Sequence, residues 1–245
     1  MADRVALKSD FGLAGGSGLG AGVQSGVPPT VRAIHAQLRH ELVTLRLPPA
    51  TRLSENELAL RFGTSRAPVR EALIRLADEG FIDILPQRGS FVSRISLGAM
   101  RRARFVREAI EIAVVRQAAS DGLLSPVRAD LDRSIAAQID ARDDAERFTL
   151  ADDAFHRHLV EGIGIAQLWS VLEREKAQFD RIRFLSLPNT TPVDLLVKQH
   201  KAILKAIDAR DPDAAEAAMH AHMSEVLKIT STLVSRHPDL IVDDA

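Results

Sequence analysis

From residue 97 to residue 235 the apolar side chains recur every three or four positions, and the breaks between runs are short. That periodicity belongs to helices that each bury one face, so this part of the chain can fold only as an all-α bundle with antiparallel neighbours. The spacing predicts six helices, over roughly 97–121, 125–142, 146–162, 166–185, 192–208 and 212–235. Asp121-Gly122, Gly162-Ile163-Gly164, Pro188-Asn189 and Asp211-Pro212 separate them.

The stretch before the bundle has a different texture. Residues 29–95 hold ten Arg, no Lys and seven acids, whereas residues 96–245 hold 20 basic and 24 acidic residues. A basic front and an acidic rear imply different partners for the two halves. Ile34, Leu38, Leu42 and Leu45 mark a first helix, which Leu47-Pro48-Pro49 ends. Ser54-Glu55-Asn56-Glu57 reads as a capping box that opens a second helix. Gly63-Thr64-Ser65 is a tight link to a third helix, which has Pro68 in its first turn and Val69, Leu73 and Leu76 as its buried stripe. Phe81–Leu85 and Ser90–Arg94 read as strands around Pro86-Gln87-Arg88-Gly89. Three helices and a two-stranded wing form a winged helix-turn-helix. The fold class expected is therefore mainly α, with this module at residues 29–95 and a six-helix antiparallel bundle at 96–236. Residues 1–28, rich in Gly, are expected to be a flexible tail, and 237–245 a polar, frayed end.

Composition excludes several functions. There is no cysteine, so disulfide frameworks and thiolate metal sites are ruled out. Aromatic residues are 4% and Tyr is absent, which argues against stacking surfaces for single-stranded nucleic acid. No apolar run approaches the roughly 18 residues of a membrane span. The start of the chain lacks the charged and apolar regions of a secretory signal, so a cytoplasmic protein is expected.

The third helix begins Ser65-Arg66-Ala67-Pro68-Val69-Arg70. Its first turn offers unpaired N–H groups to a phosphate, and its arginines can pair bidentately with guanine in the major groove. Arg88-Gly89, at the hairpin tip, can reach the minor groove. Solvated pairing with nearby Glu is the competing fate of such arginines, and Glu71 with Arg75 is read as a structural pair. The run from Leu47 to Val92 resembles the GntR family of bacterial transcription regulators. Leu-Ser-Glu-x-Glu-Leu-Ala (53–59), Ser-Arg-x-Pro-Val-Arg-Glu-Ala-Leu (65–73) and Arg-Gly-x-Phe-Val (88–92) carry the likeness. It implies a homodimer on a palindromic double-stranded operator, with DNA contacts by Arg66, Arg70 and the wing around Gly89. Ser65 and Arg88 complete the expected contact set. Ala50 stands where the family has Gly, and Asn56 where some members carry a DNA-contacting Arg.

In the bundle, Asp152 and His156 are four apart and share a helix face. His200 continues the stripe Leu196, Ile203, Ile207, and His222 lies between Met219 and Val226. His158 and His220 face away. A carboxylate and three imidazoles pointing inward from three helices are costly to bury without a shared partner, and a divalent cation satisfies them together. This nitrogen-rich set suits zinc first, with nickel, iron, manganese or copper as alternatives, and does not suit calcium or magnesium.

The segments 152–156, 199–203 and 217–223 resemble the FCD ligand-binding domain of the FadR subfamily, in its VanR-like branch. The resemblance implies metal binding by Asp152, His156, His200 and His222 and sensing of a small organic acid. Gln199 stands where that segment commonly has Glu. Arg107, Arg181 and Arg183 are the candidate effector cations, and a sugar acid is the preferred effector. The expected function is an effector-controlled repressor and not an enzyme. A metal-dependent hydrolase or lyase, or a purely structural metal, are the competing readings.

Overall fold

A computed structural model describes residues 29–187 and 190–244. The tail expected over 1–28 and the break expected at Pro188-Asn189 lie outside the described residues. Helix α1 (Val31–Val43) starts where the Thr30 side chain accepts from the Ala33 N–H at 3.2 Å. Ile34, Leu38 and Leu42 bury its stripe. Ser54 caps α2 (Glu55–Arg61), accepting from the Glu57 N–H at 3.4 Å, which is one half of the expected capping box. Gly63, with φ +60°, makes the left-handed turn before α3 (Arg66–Asp78). Val69, Leu73 and Leu76 of α3 pack on α1.

The wing is β2 (Ile82–Leu85) and β3 (Gly89–Val92), antiparallel with Leu85 opposite Gly89. The sequence pattern does not reveal β1 (Arg52–Leu53), which pairs with the other edge of β3 and makes a three-stranded sheet. Two residues are too few to show alternation, so β1 is set by its partner. Ala50, in the turn before β1, adopts φ +65°, the left-handed conformation that explains the family's glycine there.

A two-residue strand β4 (Ile95–Ser96) leads into α4 (Leu97–Asp121). The bundle continues with α5 (Val127–Asp140), α6 (Ala145–Gly162), α7 (Leu168–Glu175), α8 (Ala177–Ser186), α9 (Val193–Asp208), α10 (Pro212–Met223) and α11 (Glu225–Arg236). All six predicted runs are helical, but two of them divide at a single residue, Lys176 and Ser224, giving eight segments among the described residues. Each division separates helices that serve different cores. Leu172 of α7 and Met219 and Met223 of α10 join the main bundle core, with Val115, Phe148, Phe155 and Ile203. Phe179 and Ile182 of α8 and Val226 and Leu233 of α11 join a second cluster with Ile95 and Met100. Apolar spacing alone does not register a change of packing partner.

The chain end corrects an expectation. Residues 237–245 were expected to fray, yet Ile241–Val242 forms β5, parallel to β4, with Ile241 buried opposite Ile95. Arg94 donates to the carbonyls of Pro238 and Ile241. Asp244 accepts from Ser96 Oγ at 2.7 Å and from the Gly98 N–H at 3.0 Å. A short polar stretch is thus held by the link between the two modules. No described helix is long and apolar enough to cross a membrane.

Candidate metal centre and nucleic-acid interface

Asp152 and His156 come from α6, His200 from α9 and His222 from α10. One ligand atom from each lies within 4.8 Å of the others. Nε2 of His222 is 3.2 Å from Nε2 of His200 and 3.3 Å from Nε2 of His156. Asp152 Oδ1 is 3.6 Å from His200 Nε2, and Oδ2 is 3.7 Å from His156 Nε2.

The opposite edge of every ring is already engaged. His200 Nδ1 donates to Gln138 Oε1 at 2.8 Å, and His222 Nδ1 to Gln199 Oε1 at 3.1 Å. His156 Nδ1 pairs with Glu111, whose other oxygen accepts from Arg107 Nε at 2.8 Å. All three acceptors are oxygens without a hydrogen, so each proton sits on Nδ1 and each Nε2 presents a bare lone pair to the same point. Burial, partly offset by Asp152, lowers the His200 pKa to about 3. Burial, reinforced by His200 and His156, puts His222 well below its usual value. Burial pushes the Asp152 carboxyl up, but Arg183 first, and then the imidazoles, hold it well below the ordinary range. The neutral rings of His200 and His222 and the ionised carboxylate of Asp152 are the forms that bind metal.

Adjacent ligands about 2.1 Å from an ion stand roughly 3.0–3.4 Å apart, close to the spacings here. Three converging lone pairs repel one another unless a positive charge lies between them. The cluster therefore fits a divalent transition metal, and the four predicted ligands are the four brought together. Glu111, Gln138 and Gln199, which fix the tautomers, were missed. Gln138 and Glu111 sit on buried helix faces, a signal visible as polar residues interrupting an apolar stripe.

Beside the centre lies a cavity, partly open to solvent, whose lining includes Asp152, His222, Arg107, Arg183 and Glu225. Arg183 stands 2.7 Å from Asp152. Arg181 does not reach this cavity, contrary to expectation. Two residues before Arg183 on α8, it points about 200° around the helix. There it donates to the Ser93 carbonyl at 2.7 Å and to Gln178 Oε1 at 3.1 Å. Burial lowers its pKa to about 10.

At the other module, Arg66 and Arg70 are exposed on the first turns of α3. Both face Glu55, at 2.7 and 3.9 Å. Ser65 precedes the helix, and its side chain makes no cap hydrogen bond. A cleft between α2, α3 and the wing is lined by Arg52, Asn56, Arg66 and Gly89 among others. Arg88 precedes Gly89 at the wing tip, and Gly89 takes φ +103°. Glu71 and Arg75 pair at 2.6 Å, as read from the sequence. Arg52 was not foreseen, because the strand that carries it has no sequence signature.

A basic reading module on a bundle with an internal acid–imidazole cluster defines a DNA-binding regulator. Residues 30–92 match the family described as bacterial regulatory proteins, gntR family, and residues 103–225 match the FCD domain. The chain belongs to the GntR family of transcription regulators, in its FCD-containing group. It is 40% identical to the HTH-type transcriptional repressor RspR of Escherichia coli K12 over 81% of this chain and 87% of that one. A Streptomyces ambofaciens regulator from an unstable DNA locus is 35% identical, over 87% and 90%. The solved structure of E. coli McbR/YncC superposes with a TM-score of 0.68 at 19% identity, over 84% of this chain and 98% of that one, a likeness of fold. The protein is a transcription regulator and not an enzyme.

Proposed function

We propose that this regulator is a homodimeric repressor of the cytoplasm whose grip on its operator is set by a small organic acid bound beside a metal ion. Asp152, His156, His200 and His222 would hold the ion, zinc in the first place and nickel, iron or manganese otherwise. The observation that carries this reading is the convergence of three Nε2 lone pairs whose Nδ1 protons are already committed. When bound, such an ion supplies an electrophilic position that a carboxylate or hydroxyl can occupy.

Arg183 and Arg107 support an anionic effector, a sugar acid being the preferred class, because both line the adjoining cavity. On the operator, Arg66 and Arg70 would read guanines in the major groove, and the α3 N-terminus at Ser65 would meet a phosphate. Arg88 and Gly89 would enter the minor groove. Two copies would place two such readers on palindromic half-sites about one helical turn apart.

Helix α8 supports a route between the sites. Its Arg183 touches Asp152, while its Gln178 donates to the Gly80 carbonyl at 3.0 Å and its Arg181 holds Ser93 in the DNA-reading module. An acid that draws Arg183 away from Asp152 would shift α8 and the module seated on it. To act as a switch it must bind the two arrangements with different affinity.

The test is metal analysis of the purified full chain, followed by gel shift on the promoter region of its own gene with and without organic acids. One transition-metal ion per chain and acid-dependent release of DNA are expected. A chain that holds no transition metal after zinc addition, or DNA binding insensitive to every acid tried, would overturn the sensory part.

A further inference from the structure

The cavity beside the metal centre offers two kinds of chemistry. Arg107 and Arg183 supply positive charge. Glu225, Ser186 and Thr191 supply acceptors. The Thr191 hydroxyl donates to Ser186 Oγ at 2.8 Å, and Ser186 donates to the Arg183 carbonyl at 2.9 Å. Both hydrogens are therefore spent within the protein, and these hydroxyls offer the cavity only lone pairs.

Glu225 is the first residue of α11 and is buried. Its Oε2 accepts from Gln199 Nε2 at 3.1 Å and from Lys228 Nζ at 2.8 Å. Among the described residues nothing donates to its Oε1. Gln199 in turn takes the His222 Nδ1 proton on its own oxygen. One oxygen of Glu225 thus steadies a ring of the metal centre, while the other is free to accept.

We propose that Glu225 is a specificity-determining residue, which makes this cavity select a monocarboxylate bearing several hydroxyl groups over an unsubstituted acid or a dicarboxylate. The proposal rests on the reading of the cavity as an acid-effector site. The ligand's carboxylate answers the arginines and the metal position. Its hydroxyls then donate to Glu225, Ser186 and Thr191. An alkyl chain in the same place takes those acceptors out of water and gives nothing back. A second carboxylate meets a like charge at Glu225. Sites that bury acceptors for ligand hydroxyls reject analogues lacking them far more strongly than apolar pockets reject a change of size.

The experiment is isothermal titration of the full zinc-loaded chain with three six-carbon acids: gluconate, hexanoate and adipate. Gluconate is expected to bind at least about tenfold more tightly than either comparator. In Glu225→Gln the preference of gluconate over adipate is expected to shrink by at least about tenfold, because the like charge is gone. Hexanoate or adipate binding as tightly as gluconate in the unaltered chain overturns the role of Glu225 and leaves the acid site standing. An unchanged gluconate–adipate ratio in Glu225→Gln overturns it too. No binding of any of the three overturns the acid site itself. If Glu225→Gln does not fold, the ranking in the unaltered chain decides.

Discussion

Arg183 places a guanidinium nitrogen 2.7 Å from Asp152 Oδ2, on the carboxylate that also faces the rings of His156 and His200. The same guanidinium approaches Asp180 and Asp153 at 3.6 and 3.7 Å, and Lys176 bridges those two acids. Five charges thus meet in one network, all buried but the half-buried Asp153, and α8 contributes Asp180 and Arg183. A buried pair is costly to break, because the partner left behind stays charged and desolvated. An anionic ligand that offers Arg183 a replacement partner avoids that cost, which is why the network suits a switch.

Glu111→Gln should weaken metal binding by about 10- to 100-fold, the usual effect of removing a carboxylate that orients a metal-bound imidazole. The loss is expected through His156, whose Nδ1 the carboxylate engages. Competition with a chelator of known zinc affinity measures it. Unchanged affinity would show that Glu111 serves packing alone.

Acid should destabilise the metal-free protein. The His200 pKa is about 3 in the fold, against 6.5 ordinarily, so protons favour the unfolded chain as pH falls from 6.5 toward 3. Glu111 is held at about 2, where burial is outweighed by Arg107 and His156, so its stabilising contribution is present above 4.5 and fades as pH falls toward 2. Both effects have the same sign. Melting curves taken in chelator from pH 7 to 4 should show Tm dropping steadily. A flat Tm across that range contradicts the burial of a neutral His200.

Arg66→Ala and Arg70→Ala should each cost about 1–3 kcal/mol in operator binding, seen by gel shift. Glu55 acts in the other direction, since it pairs with both arginines and adds negative charge beside the DNA. Glu55→Gln should tighten binding to a scrambled duplex, measured by fluorescence anisotropy, and steepen its salt dependence. Full operator affinity in both arginine variants would remove α3 from the interface.

Ala50→Gly should stabilise the protein by about 1 kcal/mol, the approximate strain of an alanine held in the left-handed region. The Ala50 N–H donates to the Val92 carbonyl at 2.8 Å, so the turn is kept and the strain is local. Thermal unfolding is the measure, and operator affinity should not move. A lower Tm for Ala50→Gly would mean that the turn relaxes in solution.

The parts of the fold legible in sequence were those written in periodicity and capping. Ser54 before Glu57 and the stripe Val69, Leu73, Leu76 announce their helices because the signal lies within one element. The clustering of Asp152, His156, His200 and His222 was legible for the same reason: an inward-facing His or Asp is conspicuous on an apolar face. What stayed hidden depends on pairing at long range. Nothing near Arg52 or Ile241 tells that each lies in a two-residue strand, since the partner strand supplies the order. Arg181 and Arg183 look alike in a list of cations, and only the phase of α8 against its two neighbours sends them to opposite destinations.

Ala177 lies within the hydrophobic core of the DNA-reading module, and Phe184 packs against it, although both belong to α8. The DNA-reading module therefore borrows part of its interior from the helical bundle. Excised at residue 92, it would leave an apolar scar open to water, and calorimetry of the intact chain should register one melting event shared by both halves.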